Sequence, residues 1–335
     1  MMLLISSCIH ASEQWTWSFK KIFSADEINK IGTGNVRTLT KVDVPCFTQC
    51  MVSWNAFRPE SGHFTLSIQV RHHKDQRWGS WHKMVSWGKN IQSSYFEESD
   101  KGVVYHHVRL EVPHHNRADA VRVKIETHEG ALFEDFRLLS VALSDFTLFS
   151  EEPLNVLTDL PTVHVKGVPV YSQMVLDHPK KEVICSPTSL SMVVGFVEGK
   201  DVNPCEFAEK SFDKGLQAYG SWPFNVAHAF ERCNGSMLFR VIRSNSFADL
   251  HVRLQNQLPV VVSVRGAIKG APQEYPKGHL LVVVGWDQKS QKILCHDPAW
   301  NCLEKVVVAY DAHSFIRAWE RSRRLMYVVE PHCMI

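Results

Sequence analysis

Four residues of this chain have side chains and sequence settings suited to covalent chemistry: Cys185, His279, Asp297 and Gln173. Cys185 lies in Val183-Ile184-Cys185-Ser186-Pro187-Thr188, where an irregular segment gives way to a helical pattern. Pro187 suits a first helical turn, and Leu190, Val193, Val194 and Val197 follow as an apolar stripe. A sulfur at a helix N-terminus meets unpaired N–H groups and the positive end of the helix dipole. Both favour the thiolate, which is the nucleophilic form. Such a thiolate needs a base and a group to orient that base.

His279 supplies the base. It opens the run Leu280-Leu281-Val282-Val283-Val284, which is apolar on both parities and reads as a strand buried on both faces. A second strand, Lys292-Ile293-Leu294-Cys295-His296-Asp297, follows a polar turn over Asp287–Gln291. A hairpin centred near Gln288 sets residue 279 opposite residue 297, with both side chains on one face. The carboxylate then takes Nδ1–H and leaves Nε2 to accept the thiol proton, whereas a slip of one residue separates the pair. Gln173, ending Tyr171-Ser172-Gln173, offers an amide donor to a developing oxyanion, with the backbone N–H of Cys185 as a second donor. His296 is the rival base, and Trp222 and Trp286 read as cleft wall or core.

Five blocks carry a family resemblance in their order: Tyr171-Ser172-Gln173, Cys185 through Met192, Gly220-Ser221-Trp222-Pro223-Phe224-Asn225, Gly278-His279-Leu280-Leu281-Val282-Val283, and Asp297-Pro298-Ala299. Over roughly residues 163–330 the chain resembles the papain-fold cysteine peptidases related to the leader peptidases that cut after double glycine, nearest to the stand-alone C39-like proteins of bacteria. The resemblance implies Cys185 as nucleophile, His279 as base, Asp297 as orienting acid and Gln173 in the oxyanion hole. It implies a peptide or protein substrate; separately, no cofactor or metal is expected. Because it is to the stand-alone group, it does not imply a double-glycine substrate.

Length and composition accord with this. The 335 residues allow two domains, and 44% hydrophobic with 21% charged residues is ordinary for a globular protein. The net charge of +2, without a basic block, gives no electrostatic support for nucleic-acid binding. No apolar run approaches the length of a membrane span. The nine cysteines show no paired zinc spacing, and Cys46 and Cys50 read either as a disulfide or as two small buried hydrophobes. Residues 1–11 lack a basic start and have a short apolar stretch; they read either as a signal or lipoprotein segment, with Ile5-Ser6-Ser7-Cys8 resembling a lipoprotein cleavage box, or as a cytoplasmic N-terminus, and export is the expectation.

The expected plan is α+β, a papain-like domain over 166–335 preceded by an all-β, jelly-roll-like sandwich over 12–150 and a linker over 151–165. In the front half, strands are expected at 64–71, 103–112, 120–127 and 136–143, separated by turn residues. Trp78, Trp81 and Trp87 read as core or as an aromatic platform for a glycan at a cell surface, and the pairs His72-His73, His106-His107 and His114-His115 read as strand residues facing opposite ways rather than metal ligands. In the back half, helices are expected from Cys185 to Gly199, after Asn203-Pro204, after the loop 220–225, after Ser246 and near 313–320; strands are expected at 259–265, 279–286, 292–296, 304–309 and 324–330. The same residues leave two alternatives open: a cell-wall peptide amidase or acyltransferase, and a catalytically silent surface-binding protein.

Overall fold

The computed structural model describes residues 14–23, 34–42, 44–99 and 102–332. The expected export segment, Cys8 and Cys333 lie outside the described residues.

The front half is built from β1 (Thr16–Ile22), β2 (Val36–Lys41), β3 (Gln49–Ala56), β4 (His63–His72), β5 (His82–Gly88), β6 (Gln92–Ser94), β7 (Phe96–Glu98), β8 (Val104–His106), β9 (Arg109–Glu111), β10 (Ala118–His128) and β11 (Phe136–Ser144). They form two antiparallel sheets, ordered β1-β11-β3-β9-β8-β7 and β2-β10-β4-β5-β6. The apolar parity of each strand points between them: Phe64, Leu66, Ile68 and Val70 of β4 join Val121, Val123 and Ile125 of β10 and Val52, Trp54 and Ala56 of β3 in one core. The expected single strand over 103–112 is instead the hairpin β8–β9, because His107 takes a left-handed turn at φ +52°. Trp87 belongs to the core, edge-on to Trp54 at 6.1 Å. Trp81 stays 37% exposed beside Lys124, and the Arg122 guanidinium lies 3.8 Å from the Trp78 ring centroid.

The back half begins with β12 (Val163–His164) and carries α1 (Cys185–Glu198), α2 (Pro204–Ser211), α3 (Trp222–Arg232), β13 (Met237–Arg243), α4 (Phe247–Gln255), β14 (Val260–Gly266), β15 (Tyr275–Asp287), β16 (Lys292–His296), α5 (Leu303–Val306), β17 (Val307–Asp311), α6 (Ala312–Arg321) and β18 (Leu325–Pro331). Its sheet runs β13-β18-β14-β15-β16-β17, with β12 added to β15. Helices come first and sheet later, the α+β plan read from the sequence. Asn203 caps α2 and Ser246 caps α4 as expected, and Gly199 ends α1 in the left-handed conformation. Two expectations are corrected. α3 starts at Trp222 rather than after Asn225, with Pro223 in its first turn. The segment expected as a strand at 304–309 opens with the short helix α5 before β17 begins at Val307.

The two halves share buried surface. Along β3, Cys50, Val52, Trp54 and Ala56 face the sandwich core, while Met51 enters the core of the C-terminal half. From that second face Gln49, Ser53 and Asn55 bond to β13, an edge strand of the C-terminal sheet: Val241 N–H donates to Ser53 Oγ at 3.2 Å, and the Arg243 guanidinium donates to Gln49 Oε1 at 2.7 Å. Phe224 of α3 is edge-on to Trp54 at 5.5 Å and belongs to the sandwich core. Between the halves, the Glu320 carboxylate (2% exposed) gathers the Glu152 backbone N–H and the guanidinium groups of Arg317 and Arg324, each at 2.6 Å.

Candidate active site

Cys185 is the first residue of α1, so its sulfur lies at the N-terminus of a 14-residue helix. The first turns of that helix are pinned to the sheet by buried hydroxyls. Ser189 Oγ donates to Leu280 O at 2.9 Å on β15, and Ser186 Oγ is hydrogen-bonded to Tyr327 Oη at 2.9 Å on β18. The residue after His279 is therefore tied directly to the helix that carries the sulfur, and Cys185 and His279 lie close enough to shift each other's proton affinity.

The structure brings His279 and Asp297 together at 2.8 Å, but through Nε2 to Oδ1 rather than through the expected Nδ1. The carboxylate accepts from Nε2–H, which leaves Nδ1 as the ring nitrogen for Cys185. The hairpin register also differs from the expected one. Asp287 pairs with Lys292 and Gly285 with Leu294, but Val283 pairs with Cys295 and Val282 with His296, so Val284 is an extra residue on β15. This bulge decides the face. In the register of the turn end, Asp297 falls opposite Val282, on the wrong parity for His279. In the register beyond the bulge it falls opposite Leu281, two residues from His279 and on the same face. The bulge forms where β12 docks: Val165 N–H donates to Val284 O at 2.7 Å, and His164 pairs with Gly285.

Asp297 is fully buried and accepts four hydrogen bonds. Oδ1 takes His279 Nε2–H and Ala299 N–H (2.9 Å); Oδ2 takes the hydroxyls of Tyr275 (2.8 Å) and Tyr310 (2.7 Å). The Tyr275 ring also stacks on the imidazole, centroids 4.2 Å apart and planes 16° from parallel. Neither tyrosine was singled out from the sequence. Tyr275 starts β15 and is 3% exposed; Tyr310 is masked by its apolar run in β17.

The electrostatics follow from burial and pairing. Desolvation pushes the Cys185 thiol up, but the hydrogen bond and charge of His279, with the backbone N–H groups of Leu280 and Ser186, bring it below the usual thiol value. Desolvation pulls His279 down, yet the charge and hydrogen bond of Asp297 and the contact with Cys185 carry it up to about 10. Burial would raise Asp297; the His279 charge and the hydrogen bonds hold it below the ordinary carboxylate range. This electrostatic balance favours a thiolate–imidazolium pair.

Gln173 opens a short 3₁₀ turn and is 2% exposed. Its backbone N–H donates to Pro298 O at 2.9 Å, which ties it to the residue after Asp297. Its Nε2 donates to Lys181 O at 2.7 Å, leaving a second N–H, while Oε1 is buried without a partner. The rival base His296 is 6% exposed, with Nδ1 bonded to Pro169 O at 3.0 Å and its basicity lowered by burial. Cys46 and Cys50 are both free, so the disulfide reading is corrected, and Cys50 is a buried apolar group of the sandwich core. Among the described residues, no three metal-ligating side chains form a group that could hold an ion, and no helix is long and apolar enough to cross a membrane.

Comparison with known proteins adds a family. Residues 165–327, just under half of the chain and spanning all four residues above, match the model of the Peptidase_C39 like family. Among solved structures, the chain is similar to xylellain, a cysteine protease from Xylella fastidiosa, at 12% identity over 55% of this chain and 91% of that one, with a TM-score of 0.34. None of the curated proteins matches the chain.

Proposed function

We propose that this chain, a cysteine-type peptidase of the C39-like family through residues 165–327, hydrolyses peptide amide bonds with Cys185, His279, Asp297 and Gln173 as its working set. The observation that carries the reading is the Cys185 thiol at a helix N-terminus, electrostatically coupled to a histidine that a buried carboxylate holds through Nε2 at 2.8 Å.

In this reading the Cys185 thiolate adds to the carbonyl carbon. The C–S bond forms, and the C=O π pair moves to oxygen, which the free Nε2–H of Gln173 and the Cys185 backbone N–H receive. His279 passes its Nδ1 proton to the departing amine as the C–N bond breaks, leaving an acyl thioester. His279 then takes a proton from water as that water attacks the thioester, and the C–S bond breaks to release the acid and restore the thiolate–imidazolium pair. Asp297 keeps the imidazole in one orientation throughout.

Incubating the protein with a mixed peptide library and sequencing the new termini by mass spectrometry tests this. Cleavage is expected, and its loss in a folded Cys185→Ala variant; undiminished cleavage by that variant sinks the reading. A separable proposal concerns the front domain, where exposed Trp81 and half-buried Trp78 favour an accessory glycan contact. Unchanged retention of a Trp81→Ala variant on peptidoglycan would remove it.

A further inference from the structure

The Asp297 carboxylate receives more hydrogen bonds than orienting a histidine requires. One oxygen serves His279 and a backbone N–H; the other serves two tyrosine hydroxyls that come from β15 and β17, the strands on either side of β16. A carboxylate offers about four lone-pair sites, so all are filled without water. We propose that Tyr275 and Tyr310 are positioning residues for the cysteine chemistry: their hydroxyls fix the Asp297 carboxylate and keep it ionised, and the Tyr275 ring holds the imidazole plane against it. This rests on the reading of Cys185, His279 and Asp297 as the reacting set.

The argument is one of desolvation. A carboxylate at 0% exposure has lost its hydration, and donors must replace it or the group takes up a proton. With Oδ2 stripped of both hydroxyls, the buried anion keeps only Ala299 N–H and the imidazolium. Its proton affinity rises, and the proton shared with His279 moves towards oxygen. The imidazole loses its positive charge, and the thiolate loses its partner. The hydroxyls thus act on Cys185 through Asp297 and His279, and the Tyr275 ring acts through His279. The stacked ring has a separate role, since an imidazole free to rotate would break its hydrogen bond to Asp297.

The test uses the full chain and iodoacetamide, with Cys185 labelling followed by peptide mapping from pH 5 to 10 and the urea unfolding midpoint measured in parallel. Tyr275→Phe and Tyr310→Phe each remove one hydroxyl and keep the ring; the double variant removes both. The expected result is a labelling midpoint displaced to higher pH, so that labelling at pH 6 falls several-fold in each single variant and about tenfold or more in the double, one unit of displacement being a factor of ten. Tyr275→Leu, which also loses the stacked ring, is expected to fall further than Tyr275→Phe. Single-variant profiles superimposable on the wild type, with only the unfolding midpoint lowered, would reduce the tyrosines to packing and overturn the proposal while leaving the reacting set intact. A wild-type profile that rises only as an ordinary thiol's does would overturn the reacting set itself. If the double variant does not fold, the two single variants decide.

Discussion

The carboxamide of Asn55 makes to Phe239 both hydrogen bonds that a neighbouring strand would make: Nδ2 donates to the carbonyl oxygen at 2.8 Å, and Oδ1 accepts from the amide at 2.9 Å. Asn55 lies on β3 of the sandwich and Phe239 on β13, an edge of the C-terminal sheet. Open strand edges invite pairing with other chains, and here a row of polar side chains from the first domain occupies part of that edge.

Asn55→Leu is expected to destabilise the whole protein by about 2–4 kcal/mol, because it leaves a buried amide and a buried carbonyl of β13 unsatisfied. Urea unfolding measures it. Unfolding in one transition, with its midpoint lowered, fits an edge that the sandwich completes; an unchanged midpoint would mean that the Asn55 bonds contribute nothing net.

Gly285 stands where β12 docks beside the Val284 bulge. A Cβ there would meet Val163 O at 2.6 Å and Leu294 Cδ1 at 2.9 Å, and the first of these is backbone that cannot turn aside. Gly285→Ala is therefore expected to push β12 off β15, costing about 1–3 kcal/mol. Since the bulge keeps His279 and Asp297 on one face, peptide cleavage should fall more steeply than thermal stability alone explains. Normal turnover with a lowered Tm would separate the bulge from the docking of β12.

What could be read from the sequence is what short-range pattern controls. The α1 start at Cys185, the capping residues Asn203 and Ser246, and the strands around Ile68, Val123 and Leu139 each follow from neighbours a few positions away. β3 was not read as a strand because all eight of its residues are buried, with Met51, Ser53 and Asn55 facing a second domain instead of water, so no polar alternation marks it. The bulge at Val284 was invisible for a similar reason: its partner β12 lies more than a hundred residues upstream. The even displacement left by the bulge preserved the shared face of His279 and Asp297 although the expected register was wrong. Which imidazole nitrogen meets the carboxylate depends on the side from which Asp297 approaches, and Tyr310 reaches Oδ2 from a strand whose apolar run gives no hint of it.

Gln173→Ala should leave the Cys185 labelling profile in place and lower kcat about a hundred- to a thousandfold, the usual loss for one oxyanion donor. The contrast is diagnostic, because the amide is asked to stabilise charge only after the thiolate has attacked. A KM rise with unchanged kcat would instead make Gln173 a substrate-binding group. Gln173→Glu should be at least as damaging, since it sets a carboxyl beside the Lys181 carbonyl that Nε2 now satisfies.

The paired shifts of Cys185 and His279 set both limbs of a pH profile. The thiol lies below its ordinary value and His279 is carried up to about 10, so the thiolate–imidazolium form fills the interval between them. Cleavage is expected to rise as Cys185 loses its proton and to fall near pH 10 as His279 loses its own. Cys46 and Cys205, whose thiols are pushed up mainly by burial, serve as internal controls and should label only at higher pH than Cys185. The stability linkage has a definite sign. A histidine whose folded value exceeds its unfolded 6.5 contributes stability that is fully present below pH 6.5 and is lost as pH rises through about 10. Asp297, held below its unfolded 3.8, contributes stability present above that value and lost as pH falls further. In a Cys185→Ala background, which removes the thiol's own opposite linkage, the excess Tm over the variant that also carries His279→Ala should therefore be largest between about pH 4 and 6.5 and shrink as pH rises further, measured by calorimetry. An excess that grows with pH over that range would require a neutral imidazole in the folded state, and the thiolate at Cys185 would then have no cation to hold it.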